Sequence, residues 1–145
     1  MVSNNVVFED YSITCKAKLK EAAIAFLHEA GDVILAATAR NYDSADRVDT
    51  GKTKGSFQKV VDESALSCTM GSSYQNAIWE EFGTGVHALH GDGRKTPWRY
   101  KNKTGWHTTR GKTGHRPFFK AYEAKKSAIK AEAERRFWRK LLPED

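Results

Sequence analysis

Four of the five histidines lie in or beside one glycine-rich stretch, residues 86–116, and raise the question of a metal site; they are His87, His90, His107 and His115. Histidine is the commonest metal ligand in proteins. No cysteine accompanies these histidines, however, and Asp92 is the one acid among them, whereas zinc sites commonly add cysteine or carboxylate ligands. We therefore expect solvated or interfacial histidines, with no metal and no other cofactor bound.

The sequence contains no arrangement typical of an enzyme. No segment resembles a nucleophile elbow or the region around a catalytic cysteine. Glu80 and Glu81 are adjacent, so on a helix their carboxylates would point apart rather than work as a pair. The string Gly83, Thr84, Gly85 lacks the lysine and the strand-to-helix context of a phosphate-binding loop. We predict a protein without enzymatic activity.

Residues 86–116, called the basic segment below, carry all of the excess positive charge. The segment has eight basic residues and one acid, a net charge of +7, whereas the remainder of the chain has 16 basic and 17 acidic residues. A localised positive field of this kind attracts nucleic acid or an acidic protein surface.

Aromatic side chains are interleaved with these cations. The candidate interaction residues are Arg94, Lys95, Trp98, Arg99, Tyr100, Lys101, Trp106 and Arg110. Cations that meet phosphates and rings that stack on bases are typical of a nucleic-acid-binding surface. Tryptophan, tyrosine and arginine are also typical of the core of a protein interface. The residue types alone leave both partners open.

Two long amphipathic helices are predicted towards the ends of the chain. Apolar residues that recur at spacings of three and four predict a helix over residues 13–39. Asp10 or Ser12 can cap its start. Pro117 suits the first position of a helix, and a second apolar stripe predicts a helix that runs from it and ends before Pro143.

Shorter elements are predicted between the two helices. Alternating apolar and polar residues over 56–62 and 65–71 predict an antiparallel hairpin, and residues 74–82 fit a short helix. Residues 97–101 and 106–110 predict a small exposed hairpin within the basic segment. The predicted fold is α+β, with two long helices packed on a small antiparallel β-sheet and a long basic loop or hairpin insert.

Length and composition predict a single domain, residues 1–145, from which the basic segment projects as an insert. No apolar run approaches the roughly 20 residues that cross a bilayer, and the N-terminus lacks the pattern of a signal peptide. We therefore expect no membrane association. Cys15 and Cys68 lie too far apart for a metal motif or a disulfide framework, and we interpret both as reduced core residues.

Short motifs in a fixed order resemble a known protein family. The residues are Asp49, Thr50, Gly51 and Lys52 before the first hairpin, Gly71 and Ser72 after it, then Tyr74, Ala77, Glu81, Phe82, Gly83, Thr84 and Gly85, and finally Arg116, Pro117, Phe118 and Phe119 after the basic segment. The order resembles the minor tail-component family of long-tailed double-stranded DNA bacteriophages, also described as neck, head-tail joining or tail-completion proteins. The resemblance covers nearly the whole chain.

The resemblance implies a structural virion protein of the phage neck or of the head-proximal end of the tail, assembled in the host cytoplasm. It implies a homo-oligomeric ring, expected to be a hexamer, and no catalytic residues. The implied partners are other copies of the chain, connector, tail-terminator or tail-tube proteins, or DNA in the lumen. The alternative function is a nucleic-acid-binding domain that uses the basic aromatic loop.

The motif residues on either side of the basic segment are interpreted as its base or hinge: Glu81, Phe82, Gly83, Thr84, Gly85, Arg116, Pro117 and Phe118. Gly83 and Gly85 would let the backbone turn sharply. Glu81 is expected to pair with Arg116, to cap a neighbouring backbone group or to remain solvated. Phe82, Phe118 and Phe119 are interpreted as core or hinge anchors rather than as contacts with a partner.

Overall fold

The computed structural model describes residues 10–45 and 51–141. In chain order these residues form α1 Ser12–Ser44, α2 Lys52–Gly55, β1 Phe57–Asp62, β2 Ser67–Ser72, α3 Gln75–Phe82, a 3₁₀ turn Gly85–His87, β3 Trp98–Asn102, β4 Gly105–Thr109 and α4 Pro117–Leu141. β1 pairs with β2 and β3 pairs with β4, both antiparallel. Within the described ranges the fold is α+β, with four α-helices and two separate two-stranded sheets. The motif residues Asp49 and Thr50, and the predicted helix end before Pro143, lie outside the described residues.

Helices α1 and α4 run antiparallel and contain most of the core. At one end the Asn41 side-chain amide donates a hydrogen bond of 2.8 Å to the Pro117 carbonyl. At the other end the rings of Phe26 and Phe137 meet edge-on, with their centroids 5.8 Å apart. The buried apolar residues of the described chain are Ile34, Ala37, Tyr42, Ala77 and Ala121. Because three of these five are alanines, little apolar area is buried for a chain of this length.

The first hairpin, β1–β2, packs on α1. The Lys59 ammonium donates a hydrogen bond of 2.6 Å to the His28 carbonyl and forms an ion pair of 2.6 Å with Asp32. The Lys59 side chain lies against Gly31, which is buried in the middle of α1. Along both strands half-buried and exposed residues alternate, as the period of two predicted.

The bounds of two elements differ from the sequence prediction. The turn of the first hairpin takes four residues, 63–66, because the Asp62 carboxylate accepts hydrogen bonds from backbone N–H groups inside it. The second strand therefore starts two residues later than predicted. Helix α1 continues to Ser44, five residues beyond its predicted end, because Asn41 bonds to the start of α4 and Tyr42 is buried.

One smaller prediction is wrong, and one short element was not predicted. Residues 52–55 form the single helical turn α2. Cys15 is exposed on α1 and Cys68 is half-buried on β2, both with free thiols, so neither belongs to the buried core. The predicted short helix is present as α3, in which Ala77 is buried whereas Ile78 and Phe82 are 53% and 41% exposed.

Contrary to the expectation from the sequence, helix α1 is long enough and apolar enough to cross a membrane when length and composition alone are considered. The core helix of a soluble protein passes the same test. Two charged residues of α1 pair with other elements of the fold, because Glu29 contacts Arg136 of α4 at 2.8 Å and Asp32 contacts Lys59 of β1. These ion pairs and the buried residues of α1, such as Ile34 and Ala37, show that α1 packs against β1 and α4.

Replacement of Tyr42 tests the packing at the end of the core. The Tyr42 hydroxyl is buried and has no hydrogen-bond partner among the described residues, and burial together with Glu80 and Glu81 raises its pKa above the ordinary value. We expect Tyr42→Phe to raise the free energy of unfolding by about 1 kcal/mol, because it removes an unsatisfied polar group. The control Tyr42→Ala should lower it by about 3 kcal/mol, because it leaves a cavity. Urea unfolding measures both, and a destabilised Tyr42→Phe would contradict this account.

Candidate functional site

Two extended stretches cross at the base of the basic segment. The Thr84 N–H donates a hydrogen bond of 2.8 Å to the Lys112 carbonyl, and the Val86 N–H donates one of 2.9 Å to the Arg110 carbonyl. The Lys112 N–H returns a bond of 3.0 Å to the Thr84 hydroxyl. These bonds tie the chain leaving α3 to the chain that enters α4. We call this crossing the joint; it comprises residues 80–87 and 110–118.

Glycine is required where the two backbones of the joint touch. Gly85 has φ 61°, and a Cβ added there would overlap the Arg110 carbonyl. Gly111 has φ 113°, and a Cβ there would overlap the Thr84 carbonyl. The glycines interpreted from the sequence as turn and hinge positions thus serve close backbone approach, and the joint is a packed crossing.

The Glu81 carboxylate caps the N-terminus of α4. It accepts a hydrogen bond of 2.5 Å from the Phe118 N–H and one of 3.3 Å from the Phe119 N–H. Of the three roles considered from the sequence, this is the capping of a neighbouring backbone group. Burial raises the pKa of Glu81 above its ordinary value, opposed by these two hydrogen bonds and by the charges of Arg116 and His115. The end of α3 is therefore fixed directly to the start of α4.

Glu80 also stabilises the joint, through both its side chain and its backbone carbonyl. Its side chain is buried and forms an ion pair with the Lys112 ammonium. Its backbone carbonyl accepts hydrogen bonds of 2.8 Å from the His115 N–H and 3.0 Å from the Arg116 N–H. Reasoning from the sequence missed Glu80 as a structural residue. No local signal identifies it, because Lys112 lies 32 positions further along the chain.

The aromatic residues of the joint divide into half-buried and exposed groups. Phe118 stacks on Phe57 of β1 with centroids 5.7 Å apart, as expected for an anchor. Phe82 and Phe119 are 41% and 42% exposed, so neither is buried in the core, and their role as hinge anchors stays a prediction. Arg116, at φ 57°, places its guanidinium 3.7 Å from the centre of the Phe119 ring. Both exposed rings line an apolar groove of about 300 Å³ beside α3 and α4.

The hairpin β3–β4 has two chemically different faces. On the inner face Trp98 and Tyr100 point into a cleft against α3, and Tyr100 stacks on His107 at 5.5 Å. On the outer face Arg99 lies 5.3 Å from the centre of the Trp106 ring, and Lys101 is the cross-strand partner of Trp106. The eight candidate interaction residues, predicted as one surface, are therefore divided among these two faces, the loop that precedes them and, for Arg110, the joint.

The cleft on the inner face is open and has aromatic walls. Its volume is about 890 Å³. Trp79 and Phe82 of α3 form one wall, and Trp98 and Tyr100 of β3 form the other. Arg94 lies at the cleft with its guanidinium 5.8 Å from the Trp98 ring. Such a cleft suits a planar or apolar group. Trp79 was not among the candidate residues, because the sequence does not show that α3 faces the hairpin.

Two further cations of the basic segment, Arg94 and Lys95, have hydrogen-bond partners nearby. The Arg94 guanidinium donates a hydrogen bond of 3.0 Å to the Thr96 hydroxyl, and the Lys95 ammonium donates one of 2.8 Å to the Gly91 carbonyl. Arg110 is exposed and follows β4 at the joint. The positive charge is therefore least compensated on the outer face of the hairpin.

The histidines of the basic segment occupy separate positions. The His107 ring nitrogen Nε2 lies 2.8 Å from the Thr104 hydroxyl and 2.9 Å from the Asn102 side-chain oxygen. His90 packs against Phe82 with ring centroids 5.2 Å apart. Over residues 10–45 and 51–141, no three histidine, cysteine, aspartate or glutamate side chains form a group that could hold a metal ion.

Comparisons with models of protein families, with curated proteins and with solved structures found no match for this chain.

Replacement of Gly85 tests the joint. We expect Gly85→Ala to lower the free energy of unfolding by about 3 kcal/mol, because it combines left-handed strain with a backbone overlap. Gly91→Ala is a matched control, since Gly91 has a similar φ of 72° but nothing within 4 Å of the added Cβ. The control should cost about 1 kcal/mol from the strain alone. Equal losses in chemical denaturation would show that the crossing does not need glycine.

Replacement of Glu81 tests the electrostatics of the joint. Because the folded-state pKa of Glu81 is raised above 4.5, the folded protein binds a proton more tightly than the unfolded chain. The wild type should therefore lose stability relative to Glu81→Gln as the pH rises from 4.5 through the raised pKa. Thermal unfolding of both proteins at acid and neutral pH measures the difference. A wild-type advantage that grows with pH would contradict the assigned direction.

Proposed function

We propose that the chain is a structural virion protein of the neck or head-proximal tail end of a long-tailed bacteriophage. In this proposal copies of the chain form a ring that takes part in head-tail joining or tail completion. The ordered motifs that resemble the minor tail-component family motivate the virion setting. The protein performs no catalysis in this role, and its partners are its own copies and the adjacent connector, tail-terminator or tail-tube proteins.

The observation that carries the ring proposal is the amount of apolar side chain left exposed on the isolated chain. Described large apolar residues that are at least two-fifths exposed include Ile13, Val33, Ile78, Trp79, Phe82, Phe119, Tyr122 and Trp138. They lie on α1, α3 and α4, the helices that also supply the small buried core. Soluble monomers rarely leave extensive apolar surface uncovered. Neighbouring subunits of a ring would cover such helices.

The geometry of the joint supports the same proposal. The motif residues Glu81 to Gly85 and Arg116 to Phe118 are far apart in sequence, yet they meet in the joint through the Glu81 cap and the glycine crossing. They fix the direction in which the β3–β4 hairpin leaves the helices. In a ring, this would present the same hairpin surface from every subunit, which suits a protein that joins successive assemblies.

Deletion of the gene from the phage or prophage that carries it tests the proposal. We expect infectious particles to fall to background, with DNA-filled heads and separate tails accumulating, because the joining ring would be missing. Plaque titre and negative-stain electron microscopy of the lysate measure both effects. A plasmid copy of the wild-type gene is the control and should restore joined particles. Normal yields of joined, infectious particles from the deletion would overturn the proposal and favour a free-standing nucleic-acid-binding domain.

A further inference from the structure

The outer face of the β3–β4 hairpin and the base of the hairpin carry cations that are not paired with carboxylates of the described residues. Lys112 is paired with Glu80, and Arg116 is half-buried against Phe119 in the joint. The three outward cations are different: Arg99, Lys101 and Arg110 are all exposed. None of these three forms an ion pair with a carboxylate of the described residues, and no acid occurs between positions 93 and 116.

Their arrangement follows from the geometry of the strands. Arg99 and Lys101 are two residues apart on β3, so their side chains leave the same face about 7 Å from each other. Trp106 lies opposite Lys101 on β4, and Arg110, one residue beyond the end of β4, is exposed at the base of the hairpin. Cations repeated at this interval suit a polymer whose negative charges are regularly spaced, as the phosphates of a nucleic acid strand are.

Trp106 adds a second kind of contact. Its ring is 62% exposed and lies 5.3 Å from the Arg99 guanidinium. An exposed indole costs free energy in water unless a partner covers it. Between two cations it forms a platform on which a base can stack, and such stacking tolerates any sequence. An acidic protein surface would satisfy the cations but offers no regular planar group for the indole.

We propose that the outer face of the β3–β4 hairpin, formed by Arg99, Lys101 and Trp106, together with Arg110 at the base of the hairpin, binds the phosphate backbone of nucleic acid without sequence preference. The inner, aromatic face remains available to protein. The inference rests on the proposed function for its setting, where the face would meet DNA that passes through the ring. The binding itself is a property of the hairpin and can be measured on the purified full-length chain.

Fluorescence anisotropy tests the binding with three labelled probes: a single-stranded oligonucleotide, a duplex of the same sequence, and polyglutamate of matched charge. If three cations each neutralise one duplex phosphate, affinity falls about 40-fold between about 50 and 200 mM salt through these contacts alone. The triple variant Arg99→Ala, Lys101→Ala, Arg110→Ala should lose this part of the salt dependence. The control Lys16→Ala, Lys18→Ala, Lys20→Ala removes equal charge from the exposed start of α1 and should retain it.

The variant Trp106→Ala distinguishes single-stranded from duplex nucleic acid as the ligand. Its control is Trp138→Ala, because Trp138 is also exposed, at 65%, but lies on α4. Loss of single-strand affinity in Trp106→Ala identifies a stacked single strand. Unchanged Trp106→Ala affinity, with cation-dependent binding of the duplex, identifies duplex DNA. Circular dichroism of every variant should match the wild type, since all of these side chains are exposed.

Three results would overturn the inference. The first is that the wild type binds neither oligonucleotide at low salt. The second is that the two triple variants lose equal parts of the salt dependence. The third is that the wild type binds polyglutamate as tightly as it binds the oligonucleotides. The last result would assign the face to an acidic protein. Nucleic-acid binding by a chain whose deletion leaves particles intact would refute the ring and leave this inference standing. Defective head-tail joining in the deletion, with no nucleic-acid binding by the purified chain, would refute this inference and leave the ring proposal standing.

Discussion

Two backbone stretches, residues 84–86 and 110–112, pass each other at contact distance, and the positions of α4 and of the β3–β4 hairpin both follow from that passage. The hydrogen bonds of the crossing place the end of α3 beside the start of α4, where the Glu81 carboxylate can reach two helix N–H groups. The same crossing brings Lys112 to the buried Glu80. Since a Cβ at Gly85 or Gly111 would occupy the space of the opposing carbonyl, these contacts depend on the absence of a side chain at both positions.

The long helices, in contrast, pack closely against each other but leave much of their apolar surface exposed. α1 and α4 approach through small residues such as Ala37 and Ala121, which allows close packing but buries little apolar area. Larger side chains, among them Val33 and Tyr122, remain partly exposed. A chain of this kind has an internally well-defined joint and an incompletely covered helical surface. Association of several copies would therefore supply apolar burial that the single chain lacks.

Much of the fold could be predicted from the sequence, because periodicity in apolar residues reports directly on helices and strands. Both long helices, α3 and the two hairpins follow this signal. The end of α1 could not be predicted, because Asn41 looks like a helix stop until its partner at Pro117 is known. Glu80 could not be assigned, because its burial depends on a lysine far along the chain. Gly83 and Gly85 were interpreted as positions of a sharp turn, since a sequence does not show which backbone lies opposite.

Successive side chains of the β3–β4 hairpin lie on opposite faces. The number of residues in each strand is therefore more constrained than the residue types. Tyr100 faces the cleft and Trp106 faces outward because they have opposite parity in the register of β3 and β4. Insertion of one residue into either strand would exchange its faces, placing cations against α3 and rings in solvent. Changes of two residues would preserve the arrangement and only extend or shorten the hairpin. Among related chains, lengths of this hairpin should therefore differ in even steps, whatever residues fill the strands.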